Sequence, residues 1–147
     1  MQPTSFRHVI TLTTRFADVD MLGHVNNAKY LTYIEEARIA YAEAVFRAPT
    51  DPPDQFMILA RTVIDYLLPI KSNQKLNVYT RCSRLGRKSF DLSYMMVTKE
   101  TEQLVCTSVT TMVGYDYKLN QSMLIPETWR ERIMAYEVVK PDESAKA

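Results

Sequence analysis

Residues 28–48, AKYLTYIEEARIAYAEAVFRA, run without glycine or proline through strong helix formers. Tyr30, Ile34, Ala37, Tyr41 and Ala44 recur at helical spacing, while Lys29, Thr32, Glu36, Glu43 and Arg47 fall on another face. The spacing predicts one amphipathic helix of about five turns, roughly 28 Å long at about 1.5 Å per residue. Ala37, Ala40 and Ala44 thin its surface, so that a backbone can lie close against a sheet. A chain with one dominant helix must build the rest of its core from strands, and the remaining sequence supplies them.

RHVITLTTRF, residues 7–16, puts His8, Ile10, Leu12, Thr14 and Phe16 on one parity of a strand. APTDPPD, residues 48–54, ends the helix with three prolines. Four strand-like runs follow: 56–69, 75–83, 89–99 and 104–118. The second aligns Leu76, Val78, Thr80 and Cys82 on one side, and the third aligns Phe90, Leu92, Tyr94 and Met96. SRLGRK and ETEQ are short enough for hairpins, which predicts an antiparallel meander of these four strands. PETWRERIMAYEVV, residues 126–139, predicts a short C-terminal helix with Pro126 at its start and Glu127 in its first turn. The tail KPDESAKA is expected to fray. Strands gathered beside one long helix argue for an α+β domain, a five-stranded antiparallel sheet with one helix, rather than βαβ units. One helix cannot cover both faces of such a sheet. Either the sheet curls around the helix or a second subunit covers its other face, and both are expected.

At 147 residues the chain is one domain, 1–147, with its core at about 7–118. Eighteen Lys and Arg against 17 Asp and Glu leave a net charge of +1, so no global field draws nucleic acid or an anionic membrane. No apolar run approaches the ~20 residues of a membrane span. MQPTSFRHVI lacks the apolar core of a signal peptide. Cys82 and Cys106 stand in no metal or redox spacing and sit in strand runs as inert thiols, so a reducing, cytoplasmic setting is expected. With glycine only at 23, 86 and 114, no phosphate-cradling loop exists, and neither GxGxxG, a Walker loop nor GxSxG occurs. No cofactor is expected.

The polar residues concentrate in ADVDMLGHVNN, residues 17–27, which carries Asp18, Asp20, His24, Asn26 and Asn27 just before the helix. A helix start presents free N–H groups and the positive end of a dipole, which can polarise a carbonyl or hold an oxyanion. A carboxylate a few residues upstream can serve as nucleophile or as base for water. That pairing suits hydrolysis of an activated acyl group. The same residue types also satisfy capping and turn chemistry, and Asp18 is assigned there. Asp20 and His24 stand four apart, but two histidines in the chain make a metal ligand set hard to complete, and no metal is expected. RLGRKS, residues 84–89, gathers Arg84, Arg87, Lys88 and Ser89 around a hairpin glycine. It is either a solvated turn or a phosphate-binding one.

DVDMLGHVNNAKYLTYIEEAR resembles the signature of the hotdog-fold acyl thioesterases of the 4-hydroxybenzoyl-CoA thioesterase family, and HVNNAKYL is also similar to a stretch of acyl-ACP thioesterases. IDYLLP, residues 64–69, and RLGRKSF, residues 84–90, resemble the family's DYxxP strand end and Gly-to-Ser hairpin. The resemblance implies a curled sheet wrapped around the long helix, with dimers joined sheet edge to sheet edge and paired again into homotetramers. It implies active sites at the subunit boundary. It maps the catalytic carboxylate onto Asp20 and the carbonyl-polarising amide onto the backbone N–H of Asn27. His24 takes a polar position of the loop, near Asp20 or the leaving group. The resemblance puts the nucleotide end of CoA near Arg84, Arg87, Lys88 and Ser89, and the acyl group between helix and sheet along Tyr30, Ile34 and the 56–66 strand. Some branches carry the catalytic carboxylate on the helix. Here Glu35 and Glu36 are assigned structural roles, with Glu35 paired to Arg38 at i,i+3. The substrate implied is an acyl-CoA, with acyl-ACP as the alternative and an acyl-CoA-binding protein without turnover as the non-enzymatic rival. A hotdog hydratase would place Asp and His within a GDxNPxH-like segment, which this chain lacks.

Overall fold

The computed structural model describes residues 2–46 and 54–143. Its elements are β1 (His8–Thr13), α1 (Asn27–Phe46), β2 (Gln55–Tyr66), β3 (Lys75–Leu85), β4 (Ser89–Thr98), β5 (Leu104–Asp116), β6 (Gln121–Ser122) and α2 (Glu127–Tyr136). The proline-rich helix stop falls, apart from Asp54, outside the described residues. The tail keeps an ordered part: Asp142 forms a bridge with Arg84 before the described residues end at 143.

The five long strands form one antiparallel sheet in the order β1-β3-β4-β5-β2, with the two-residue β6 added beside β5. The expected four-strand meander is therefore corrected. β3, β4 and β5 are consecutive hairpins, but β2 lies beyond β5, pairing from Gln55 with Asp116 to Tyr66 with Cys106. β1 occupies the edge of β3 that β2 would have taken. The connection after β2 does not turn tightly. Val25 N–H bonds Ile70 O at 2.7 Å and Thr14 Oγ1 bonds Lys71 O at 2.7 Å. These bonds lead the chain beneath the residue 17–27 loop to the far side of the sheet.

The inward parity of β3 and β4 follows the alternation in the sequence: Leu76, Val78, Thr80, Cys82, Phe90, Leu92, Tyr94 and Met96 are all buried against α1. Burying each of the larger apolar side chains stabilises the fold by about 1.5–3 kcal/mol. On α1 the buried residues are Tyr30, Tyr33, Ile34, Ala37, Tyr41, Ala42, Val45 and Phe46. Ala44 is exposed, so the apolar stripe is one step off the expected one at its C-terminal end. Phe16 also departs from expectation. β1 stops at Thr13, the chain enters a tight turn over Phe16–Asp18, and Phe16 is 88% exposed. The outer face of the sheet carries a small cluster of its own, in which Phe6 covers Met95 and Val97. α2 ends at Tyr136, sooner than the pattern suggested, because Glu137 turns extended and buries its side chain. At the β2 edge Ile58, Leu59, Val63 and Tyr66 remain exposed, an uncovered apolar strand edge.

Candidate active site

The loop between β1 and α1 is held by Asp18, which is buried. Its carboxylate accepts bonds from Arg15 N, Nε and Nη2 at 3.0–3.2 Å and from Tyr33 Oη at 2.7 Å. Arg15's hydrogen bonds, joined by that of Tyr33, outweigh the cost of burial and hold the Asp18 carboxyl down at about 2. Its backbone carbonyl accepts Asn26 N–H at 2.9 Å, and Val19 bridges Val25, so the loop is closed at its base.

Within that frame the tip residues 20–24 form a tight turn. Asp20 N–H bonds His24 O at 2.9 Å, Gly23 N–H bonds Asp20 O at 3.0 Å, and Gly23 takes φ of 79°, a left-handed conformation natural to glycine. Asp20 is exposed, and its Oδ1 accepts Leu22 N–H at 2.9 Å. Asn26 caps α1: its Oδ1 accepts Ala28 N–H and its carbonyl accepts Lys29 N–H, both at 2.9 Å. Among the described residues no acceptor meets the backbone N–H of Asn27. That leaves one donor at the positive end of a 20-residue helix.

Asp20, His24 and Asn27 line one cavity of about 300 Å3 together with Leu22, Tyr30 and the Tyr66–Pro69 segment. Tyr66 stacks edge-on against Tyr30 with ring centroids 5.0 Å apart, and its hydroxyl reaches Asn27 O at 3.4 Å. The hydroxyls of Tyr30 and Tyr66 are both raised, chiefly by burial. The arrangement offers a solvent-accessible carboxylate, an unpaired helix-start amide and an apolar wall, which are the parts acyl transfer to water requires. Among the described residues no group of three or more His, Cys, Asp or Glu is placed to hold a metal ion.

The basic turn lies elsewhere. Ser89 pairs with Val113 while Tyr66 pairs with Cys106, which sets the turn about 23 Å along β5 from the Asp20 cavity at ~3.3 Å per residue. Arg84 is committed internally, with Nε and Nη2 on Asp91 at 2.7 and 2.8 Å and Nη2 on Ser89 Oγ at 3.0 Å. Burial opposes the Asp91 carboxylate, but the bonds led by Arg84 prevail and hold it below the usual range. Arg87 and Lys88 face solvent. Glu35 and Arg38 form the expected i,i+3 pair at 3.3 Å. Cys82 and Cys106 are buried and burial raises both thiols, Cys106 to about 12.

Sequence reasoning did not find the Tyr33–Asp18 bond. Tyr66–Pro69 was signalled only by IDYLLP, and these residues form a wall of the cavity.

The chain matches the thioesterase-like superfamily over residues 14–133. It is 28% identical over 117 residues to the long-chain acyl-CoA thioesterase FadM of Escherichia coli, covering 78% of this chain and 88% of FadM. A thioesterase of Thermus thermophilus, solved with coenzyme A and Zn, is 30% identical with a TM-score of 0.82, covering 92% of this chain and 98% of that one. The 1,4-dihydroxy-2-naphthoyl-CoA thioesterase of Synechocystis shares the fold, with a TM-score of 0.75 at 19% identity over 86% of this chain and 94% of that one. The curled sheet around a single long helix is thus the hotdog fold. With an acidic loop abutting an open helix start within the matched segment, the chain belongs to the thioesterase-like superfamily and is a thioester hydrolase.

Proposed function

We propose that the protein hydrolyses acyl-CoA thioesters, with Asp20 and the Asn27 backbone N–H acting on the same carbonyl. The observation that carries this reading is the shared cavity: Asp20, with its exposed carboxylate, and Asn27, whose backbone N–H meets no acceptor among the described residues, both line one space walled by Tyr30 and Tyr66. Asp20 attacks the thioester carbon, or removes a proton from water that does so. The carbonyl oxygen gains negative charge and is held by the Asn27 N–H. Collapse breaks the C–S bond and expels CoA as thiolate, which takes up a proton. On the nucleophilic route the acyl group passes to Asp20 as a mixed anhydride, which water then cleaves. His24, which lines the same cavity, serves the leaving sulfur. The kinship with FadM and with a thioesterase solved with CoA supports CoA as the carrier.

The site is completed by a second copy. The exposed apolar edge of β2 supports antiparallel pairing with its own copy across a two-fold axis. Such pairing brings the Gln55 end of one β2 beside the Tyr66 end of the other, and with it the other copy's basic turn toward this Asp20. Arg87 and Lys88, with Ser89 and Arg84 shaping the turn, would then meet the nucleotide phosphates of CoA.

Free-thiol release from a panel of acyl-CoAs, run beside Asp20→Asn, tests the proposal. Turnover that the variant loses supports it. Near-normal turnover by the variant refutes the role of Asp20. Turnover on carrier-protein thioesters alone would replace CoA by acyl-ACP.

A further inference from the structure

Two more cavities follow the Asp20 cavity along the line where α1 faces β2. The nearer, about 180 Å3, is lined by Leu31, Ile34, Thr62 and Thr110 among others; the farther, about 290 Å3, by Ile39, Ala42, Phe56 and Met112 among others. Glu35, Arg38 and Leu59 line both, so they form the partition between them. Asn27, Leu31, Glu35 and Arg38 lie on one stripe of the helix; Tyr30 lines the first cavity and its neighbour Leu31 the second, so the second lies next along the helix toward this partition.

The partition is charged, whereas the rest of the nearer cavity is uncharged, lined by Leu31 and Ile34 with Thr32, Thr62 and Thr110. Arg38 Nη2 meets Glu35 Oε1 at 3.3 Å, with the Arg38 side chain only 14% exposed and that of Glu35 59% exposed. Buried Tyr94 bonds Thr110, a lining residue of the nearer cavity, at 3.1 Å. A hydrocarbon chain sliding past would strip water from this ion pair and offer nothing in return, a cost that hydrocarbon contacts do not offset. The chain therefore stops there. Arg38 lies eleven residues beyond Asn27, roughly 16 Å at ~1.5 Å per residue. Its side chain leans back toward the helix start, shortening this by a few ångströms. An extended chain advances about 1.2 Å per bond, so the space accepts about ten.

We propose that the Glu35–Arg38 pair is the end wall of the acyl site and limits the enzyme to acyl groups of about ten carbons or fewer. This rests on the thioesterase reading and names its substrate class.

The test is a series of saturated acyl-CoAs from four to sixteen carbons, used below micelle-forming concentrations, with wild type, Arg38→Met and Arg38→Lys. Wild-type kcat/KM is expected to fall at least tenfold between the ten- and fourteen-carbon substrates. Arg38→Met should raise the ratio of sixteen- to eight-carbon kcat/KM at least tenfold, while Arg38→Lys, which keeps the cation, should move it less than threefold. A wild type that handles sixteen carbons as well as eight overturns the proposal without any variant. So does a cut-off unchanged in folded Arg38→Met. If no acyl-CoA is turned over, the thioesterase reading fails instead. The wall is then tested by calorimetric binding of free fatty acids of the same lengths: the same cut-off supports it and its absence overturns it.

Discussion

Asp18→Asn separates the frame of the active-site loop from its chemistry. The carboxyl is held at about 2 against an ordinary 3.8, a difference worth roughly 2.5 kcal/mol at about 1.4 kcal/mol per unit. Its partner Arg15 is 65% exposed, and solvent screening reduces the gain to about 1–2 kcal/mol. For a chain of this size that corresponds to a Tm lower by roughly 3–7 °C. The sign follows from the lowered value: the stabilisation is fully present above 3.8 and disappears as pH falls through about 2. The gap between wild type and Asp18→Asn should therefore be flat from pH 5 to 7 and shrink by roughly half near pH 3. Urea unfolding of both proteins at pH 7, 5, 4 and 3 measures it. A gap below about 0.3 kcal/mol at pH 7, or one of constant size down to pH 3, would refute the assignment of Asp18 as an ionised anchor.

Asp20→Asn should leave the urea midpoint within experimental error and lower kcat on acyl-CoA at least 100-fold, read by thiol release. Gly86→Ala should destabilise by about 1–3 kcal/mol, measured by thermal unfolding, because its Cβ would meet Ser89 O at 3.0 Å and the Arg84 guanidinium at 2.6 Å. Glu137 is buried, bonded to Tyr41 Oη at 2.5 Å and Cys82 N at 2.7 Å, and raised by burial. A raised carboxyl stabilises most below its ordinary 4.5 and loses that contribution as pH climbs through its folded value. The Tm of wild type relative to Glu137→Gln should accordingly fall between pH 4 and 7. Under the proposed pairing of β2 with its own copy, wild type should sediment as a dimer and Val63→Lys, on the exposed β2 edge, as a monomer that has lost turnover.

Legibility in the sequence followed the range of the interactions. The alternation of Leu76, Val78, Thr80 and Cys82 is set by local pleat geometry, and those residues are buried as the pattern implies. α1 declared itself through an unbroken run of helix formers, and the loop before it stood out by composition. The place of β2 was hidden, because hydrophobic alternation says that a strand is buried on one side and not which neighbour it pairs with. The bond from Tyr41 to Glu137 joins residues 96 apart, and no local signal announces it. Arg84 looked like one of three equivalent cations in a turn. Its bonds to Asp91 and Ser89 across the hairpin distinguish it from the exposed Arg87 and Lys88.

The crossing of β2 to the far side of β5 also sets an order of events during synthesis. Gln55 must wait for Asp116, 61 residues later, before the strand has its full partner. At about 5–20 residues per second that is a delay of roughly 3–12 s. During that time FMILARTVIDYLLP, with its run of β-formers, leaves the ribosome with its natural neighbour not yet made. Arg61 and Asp65 are its only charges, and they act as the gatekeepers against pairing with a sister chain. The topology that leaves β2 at the edge of the folded sheet exposes the same strand, earlier, to a sister chain.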